Sequence, residues 1–396
     1  MYDLQLSEEQ LAIRDTVRDF VANEITPVAL LPKRLEPFDP PLPTEQIEKA
    51  AELGLRSLSL SEESGGANSD SLTQCIVAEE LAAGDADVAA VLSETSELAG
   101  PLFDRAMTSE QKNLILPKFL ENNDFHLALA PSRMENHSAI GIRYHRQKEK
   151  TPNNALEAKA TEGGGWLLNG ICSRVSNAPI AKLFAIEAQT DSGSSFFLIS
   201  NDQPGLKIVE VDRDGGWYLG SCGDVLFEDC FVSEENRLSS GSFEFSEHSP
   251  ISNALNLGIA RAAFDAAVEY AKLRIQGGRP IIEHQAIGEK LAEIAISLEV
   301  ARGTIWRAAW YLDNPDKAMA YSGVSLPINT IAHVSSSEML YRAAKDSAEC
   351  FGAMGVMRDM PMQKYIHQTR MFLHTGNGNA DSRLKIAELI ADFQNG

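Results

Sequence analysis

The hydrophobic pattern of this 396-residue chain changes character twice, and that double change limits the possible folds more than any other feature. Near the start, Ser7-Glu8-Glu9-Gln10 forms a capping box, and Leu11, Val17, Phe20 and Val21 follow at helical spacing. Thr44 is placed to cap a second helix that Gly54 ends, and Ser61 to Ser69, with Gly65-Gly66, reads as a turn. Leu72 to Ala83 and Ser109 to Leu120 read as further helices. From about Phe125 to Glu235 the apolar runs are short and broken by Gly, Asn and Pro, as in GGGWLLNGICSRVSNAPIAKLFAIEAQT and DVLFEDCFVS. Such runs predict an antiparallel sheet. From about Phe245 helical spacing returns. Ile287, Leu291, Ile294, Leu298 and Ala301 share one face, as in an antiparallel four-helix bundle. The reading is therefore α+β in three parts: helices over 1–123, a β barrel or sandwich over 124–236, and a helical bundle over 237–396.

Charge narrows the function classes. The formal net charge is −21, and such a field disfavours nucleic acid and anionic membrane as partners. It also opposes a bulky anionic ligand unless basic residues gather locally. The five cysteines fall in no C-x-x-C or metal-ligand spacing, so no metal is expected, and reduced thiols in a cytoplasmic setting are. The N-terminal run shows no targeting pattern, and no apolar run approaches the roughly 20 residues of a membrane span.

Several motifs then occur in a recognisable order. SEESGGANSDSLTQCIVAEELAAGDADVA is followed by Trp166-Leu167-Leu168-Asn169-Gly170, Val175-Ser176-Asn177 and Leu226-Phe227-Glu228-Asp229-Cys230. Next come Arg274-Ile275-Gln276-Gly277-Gly278-Arg279-Pro280 with His284-Gln285, and Phe351-Gly352-Ala353-Met354-Gly355 with Pro361. Together these resemble the acyl-CoA dehydrogenase superfamily over the whole chain. The resemblance implies FAD as cofactor, an acyl-CoA or other acyl thioester as substrate, and a flavoprotein or oxygen as electron acceptor. It also implies a homo- or hetero-oligomer, dimer or tetramer, because in the family the arginine and the glycine loop serve a neighbouring subunit's FAD. Carried over residue by residue, the cofactor set is Ser176, Arg274, Gln276, Gln285, Glu349, Gly352, Gly355 and Asn379. A guanidinium such as Arg274 suits a pyrophosphate, and glycines admit close backbone approach.

The chain also departs from the pattern. The flavin-loop threonine is Ala130, the phenylalanine after Gln276 is Gly277, and Glu349 replaces a glutamine. Near the C-terminus the family's Y-E-G-T-N run carries the catalytic glutamate, and aligning Arg383-Leu384 and Ile386-Ala387 puts Gly376 there. Some family members carry the glutamate instead on the helix leading to Arg274, a location that falls here on His248, with Glu247 one residue earlier. Glu247 and His248 are the candidate replacement bases, since carboxylate and imidazole both serve proton transfer. His374 and Cys222 are neighbours whose bland readings, a polar junction residue and a packing residue, stand beside the functional ones. The readings in competition are a flavin oxidoreductase with a non-standard base, a desulfinase- or monooxygenase-type relative, and a non-catalytic subunit of a hetero-oligomer.

Overall fold

A computed structural model describes residues 5–35, 40–131, 156–211, 219–238, 248–318, 326–376 and 378–391. The N-terminal part holds α1 (Glu8–Phe20), α2 (Thr44–Glu52), α3 (Ser71–Gly84), α4 (Ala86–Gly100) and α5 (Ser109–Glu121). The capping box forms as expected. Ser7 Oγ accepts from the Gln10 amide at 3.1 Å, and Gln10 Oε1 accepts from the Ser7 amide at 3.0 Å. The start of α2 differs from the expectation: Pro43 is the cap, and Thr44 lies inside the first turn. The Pro43 carbonyl already takes the Gln46 and Ile47 amides at 3.1 Å, so the helix begins one residue early. Gly54 does end that region in a left-handed conformation, at φ +78°.

Helical spacing in the sequence does not reveal α4. Its first half, with Val88, Val91 and Leu92, faces the helical core, and Leu98 and Ala99 face the β domain. Burial on both sides removes the single apolar stripe that marks a helix in sequence. Asp85 starts it, its carboxylate accepting from the Asp87 and Val88 amides at 3.0 and 3.3 Å.

The middle part holds β1 (His126–Ala130), β2 (Glu157–Ala160), β3 (Trp166–Ser176), β4 (Ala181–Thr190), β5 (Gly193–Ser200), β6 (Leu206–Glu210) and β7 (Cys222–Val232). They run in the order β1-β4-β2-β3-β7-β6, with β5 also on β4. The sheet is mixed rather than antiparallel throughout, because β4 pairs in parallel with β1 and, at one position, with β2. Strands β1 and β4 are separated by enough chain for a crossover, which parallel pairing needs. Strand β4 is buried on both faces. Phe184, Ile186 and Ala188 enter the sheet core, while Leu183 and Ala185 meet Leu98, Leu102, Phe103 and Phe119 from the helical layer. That is why the run LFAIEA lacks alternation.

The C-terminal part holds α6 (Pro250–Leu273), a hairpin of β8 (Ile275–Gln276) and β9 (Arg279–Pro280), α7 (Gln285–Asp313), α8 (Ile328–Cys350), α9 (Met362–Met371) and α10 (Gly378–Ile390). On α7, Leu291, Ile294, Leu298 and Ala301 are buried as the spacing predicts. These helices share one apolar core with α1 to α4. Helix α3 is buried nearly all round and lies tight against α6: a Cβ on Gly258 would stand 2.2 Å from the Glu79 carbonyl oxygen.

Buried charge fixes the docking of the parts. Glu80 accepts from Arg18 of α1 at 2.6 Å and from Arg261 of α6 at 2.7 Å, and Glu79 accepts from Arg302 of α7 at 2.7 Å. Asp85 accepts from Arg34 at 2.6 Å and from Lys364 of α9 at 3.0 Å. Burial alone would raise the Asp85 carboxyl, but Lys364 and Arg34 hold it well below its ordinary range. Removing one member of such a cluster typically costs about 3–5 kcal/mol, because the rest stay buried and unpaired.

Candidate functional site

Helix α6 carries both clusters of expected site residues, one at each end. At its start Ser249 is the cap, its Oγ accepting from the Ile251 amide at 3.1 Å. Just before it, His248 is buried at 2% exposure, with Nε2 3.1 Å from Ser382 Oγ of α10. Its ring stacks on His333 of α8, with centroids 4.0 Å apart and planes 7° off parallel. His333 Nδ1 donates to Asn253 Oδ1 at 2.8 Å, which returns the contact to α6. Asn379, expected in the cofactor set, is buried beside Ser337, its Nδ2 donating to Ser337 Oγ at 3.0 Å and to Glu338 Oε1 at 3.3 Å. Thus the starts of α6, α8 and α10 meet in a buried polar seam, and His248 bonds the helix that begins just past Gly376. Glu247 lies outside the described residues.

The seam continues along α6. Asn256 is fully buried, and both its amide atoms lack a hydrogen-bond partner among the described residues. An unpaired buried amide costs about 1–3 kcal/mol in proteins, a penalty that a bound water or ligand would relieve.

A residue the sequence reading missed stands next to this seam. Ser249 Oγ donates to Glu97 Oε2 of α4 at 2.5 Å. Burial pushes the Glu97 carboxyl up to about 8; the Ser249 bond opposes that rise and the Glu94 carboxylate adds to it. Little in the sequence signals it, since Glu97 follows Glu94 by one helical turn and reads with it as a solvated acidic pair, on a helix the pattern does not reveal. Ser93, Ser96 and Glu97 share one face of α4 by their spacing. Ser93 and Ser96 line a narrow cavity of about 10 Å³, room for little more than one water, together with Gln74, Leu81, Leu92 and Ile251 of the first turn of α6.

The other end of α6 is exposed. Arg274 is its C-terminal cap residue, and Gln276, Gln285, Glu349 and Gly352 are exposed around it. Tyr270 stacks on Phe351 with ring centroids 4.2 Å apart, which holds the end of α6 to the end of α8. Lys290 of α7 pairs with Glu349, the ammonium holding that carboxyl below its ordinary range. The Ile281 amide donates to the Arg274 carbonyl at 2.8 Å, and His284 Nε2 lies 3.0 Å from the Gln276 carbonyl, closing the hairpin. Gly352 has φ +57° and open space where a Cβ would stand. Gly355 instead packs inward, a Cβ there meeting the Ala348 carbonyl at 2.4 Å, so its role is a tight chain reversal.

Helix α6 has 24 residues, so the two ends lie about 36 Å apart. The chain does not bring His248 and Arg274 to one place. Ser176 sits elsewhere again, half-buried at the end of β3 opposite Cys222, and Ala130 ends β1 without a hydroxyl to offer. The neighbouring Asn177 has φ +61°, and its Nδ2 donates to the Val91 carbonyl at 3.0 Å, pinning the β domain on α4. His374 and Gly376 are exposed at the C-terminal end of α9. Among the described residues no helix is long and apolar enough to cross a membrane, and no group of His, Cys, Asp and Glu is arranged to hold a metal ion.

Comparison with known proteins places this arrangement. The family profile described as acyl-CoA dehydrogenase, N-terminal domain, matches residues 7–123, and that described as acyl-CoA dehydrogenase, C-terminal domain, matches residues 247–388. The mitochondrial short-chain specific acyl-CoA dehydrogenase of Rattus norvegicus is 30% identical over 381 residues, which cover 93% of this chain and 86% of that protein. Benzylmalonyl-CoA dehydrogenase of Aromatoleum aromaticum is 29% identical over 406 residues, covering 98% of this chain and all of the relative, 100%. The solved structure of butyryl-CoA dehydrogenase from Megasphaera elsdenii has the same fold, with a TM-score of 0.79 at 23% identity, over 98% of this chain and 100% of that one.

Proposed function

This chain belongs to the acyl-CoA dehydrogenase family, and from that premise we propose that it is an FAD-dependent oxidoreductase acting on the CH–CH bond of an acyl thioester, with His248 as the base. The observation that carries the reading is the buried His248 imidazole, held 3.1 Å from Ser382 on the helix that follows Gly376. Glycine at 376 offers no carboxylate, and His248, bonded to the helix that follows it, is the imidazole this reading puts in that role.

The chain's own residues divide the work. If Ser382 Oγ accepts the Nε2 hydrogen, Nδ1 is the basic nitrogen that takes the proton from the carbon next to the thioester carbonyl. The His333 stack and its Asn253 bond fix the plane of the His248 ring, so the base is oriented before substrate arrives. Bound FAD would supply the acceptor for the hydride that leaves the adjacent carbon.

The residues present fit FAD in part. Arg274 offers an exposed guanidinium for the pyrophosphate, Gly352 leaves backbone open to it, and Lys290 neutralises Glu349, which would otherwise repel an anion. Ser176 supplies a hydroxyl near the β-domain edge, whereas Ala130 supplies none. Because about 36 Å of helix separates Arg274 from His248, the Arg274 end serves a site other than that of its own His248, which requires a second copy or a homologous partner. The electron acceptor is a flavoprotein or oxygen.

The test is the visible spectrum of the protein purified alone, followed by addition of acyl-CoA thioesters. The expected outcome is a bound-flavin spectrum that a thioester bleaches, and a loss of bleaching rate of about a hundredfold or more in His248→Ala. Unchanged bleaching in that variant removes His248 from the mechanism. A second reading, a non-catalytic subunit of a hetero-oligomer, is favoured by Ala130 and Gly376 together; a colourless protein that FAD does not reconstitute supports it.

A further inference from the structure

The cavity where α3, α4 and the first turn of α6 meet is too small for a substrate and too polar to be a dry void. Its free space is about 10 Å³. Leu58, Leu81, Leu92 and Ile251 make an apolar wall, and no charged side chain among the described residues lines it. Gln74 of α3 and Ser96 of α4 line it as well, buried at 8% and 2% exposure.

The polar atoms of these two residues set the cavity apart. Gln74 Nε2 donates to the Ser69 carbonyl at 3.1 Å, which fixes the orientation of the amide and leaves Oε1 over. Gln74 Oε1 and Ser96 Oγ are both buried without a hydrogen-bond partner among the described residues. Ser96 had a local alternative. A helix hydroxyl can donate to the carbonyl one turn back, and the buried Ser347 and Thr369 do so, to Ala343 at 2.8 Å and Tyr365 at 2.9 Å. Ser96 Oγ makes no such bond, although the Leu92 carbonyl lies one turn behind it. A buried serine that forgoes the bond within its own helix needs a partner in the cavity it lines.

We propose that the cavity is a built site for one water molecule, which bridges Gln74 of α3 to Ser96 of α4. The volume and the atoms both select water. A single water needs a space of about 10–15 Å³ by this measure, with two to four polar partners. Gln74 Oε1 only accepts, so the occupant must donate to it, whereas Ser96 Oγ can donate or accept. Ser93, one turn before Ser96, brings a further hydroxyl to the same wall. An ion is opposed by apolar walls that carry no counter-charge. The bridge ties α4 to α3 next to Glu97, and it requires neither flavin nor thioester.

The test is a crystal structure of the unmodified full-length protein at a resolution that shows ordered water, with a double-mutant cycle in urea. The expected result is one ordered water within about 3.2 Å of both Gln74 Oε1 and Ser96 Oγ. Ser96→Ala and Gln74→Leu should each lower the folding equilibrium constant by about fivefold. The double variant should lose less than the product of the two, because either single change already strands the shared water. An empty cavity, or a direct bond between the two side chains, overturns the site. So does a double variant whose loss equals the product of the single ones. The crystallographic result needs no variant, so it decides the matter even where a variant fails to fold.

Discussion

The two ends of α6 are built on opposite principles. The start is buried, neutral in composition and crowded with side-chain hydrogen bonds among His248, Ser249, His333, Asn253 and Ser382. The far end, at Arg274, is exposed and charged, and its order comes from the Tyr270–Phe351 stack and the hairpin backbone. The contrast teaches that one helix can serve two sites with different demands. A group that moves protons gains from a dry, oriented setting. A cation that meets an external anion must stay open to it, because a buried guanidinium would need partners of its own. Between them Gly258, in the first half of the helix, lets α3 and α6 touch.

The comparison breaks most completely if that contact is forced apart. Gly258→Val would set a Cβ 2.2 Å from the Glu79 carbonyl oxygen, with two methyl groups beyond it. It should cost about 3 kcal/mol or more, read by urea denaturation. A smaller effect is expected at the exposed end. Arg274→Ala should leave the urea midpoint of the flavin-free protein unchanged while weakening flavin retention by about tenfold, measured by fluorescence of released FAD. A large stability loss there would mean that the exposed end is structural. Within the buried end, Asn256→Leu replaces an unpaired amide by an apolar group of similar volume. It should stabilise the fold by about 1 kcal/mol; destabilisation would mean that the amide has a partner in solution.

The finest distinction concerns pH. Glu97 is protonated up to about 8 in the folded chain, whereas an unfolded glutamate ionises near its ordinary value of about 4.3. Between those values the folded state holds the extra proton, so its contribution to stability is full below the lower value and is lost as pH rises through the upper one. Glu97→Gln should therefore flatten the fall in thermal midpoint between about pH 5 and 8. An unaltered slope would show that Glu97 ionises normally beside Ser249.

Much of this was legible beforehand. The Ser7–Gln10 capping box, the buried face of α7 and the division into helices, sheet and helices follow from local spacing, because each depends on residues a few positions apart. Helix α4 was not legible, since burial on two sides erased its stripe, and with it went Glu97. The parallel pairing of β1 with β4 was not legible either, because it joins segments that lie far apart in the chain. The motif residues Glu79 and Glu80 could be recognised in sequence, but their partners Arg18, Arg261 and Arg302 could not, being scattered over three helices.

By itself the sequence determined which segments become helix or strand and which side chains are chemically able to hold an anion or take a proton. Those properties reside in short windows and in the residues' own chemistry. Tertiary structure decided which of them meet. It stacked His248 on His333, set Ser382 beside His248, raised the Glu97 carboxyl by burying it, and kept Arg274 a helix length away. Each of these depends on distances between remote segments, and such distances are set only when the cores have packed.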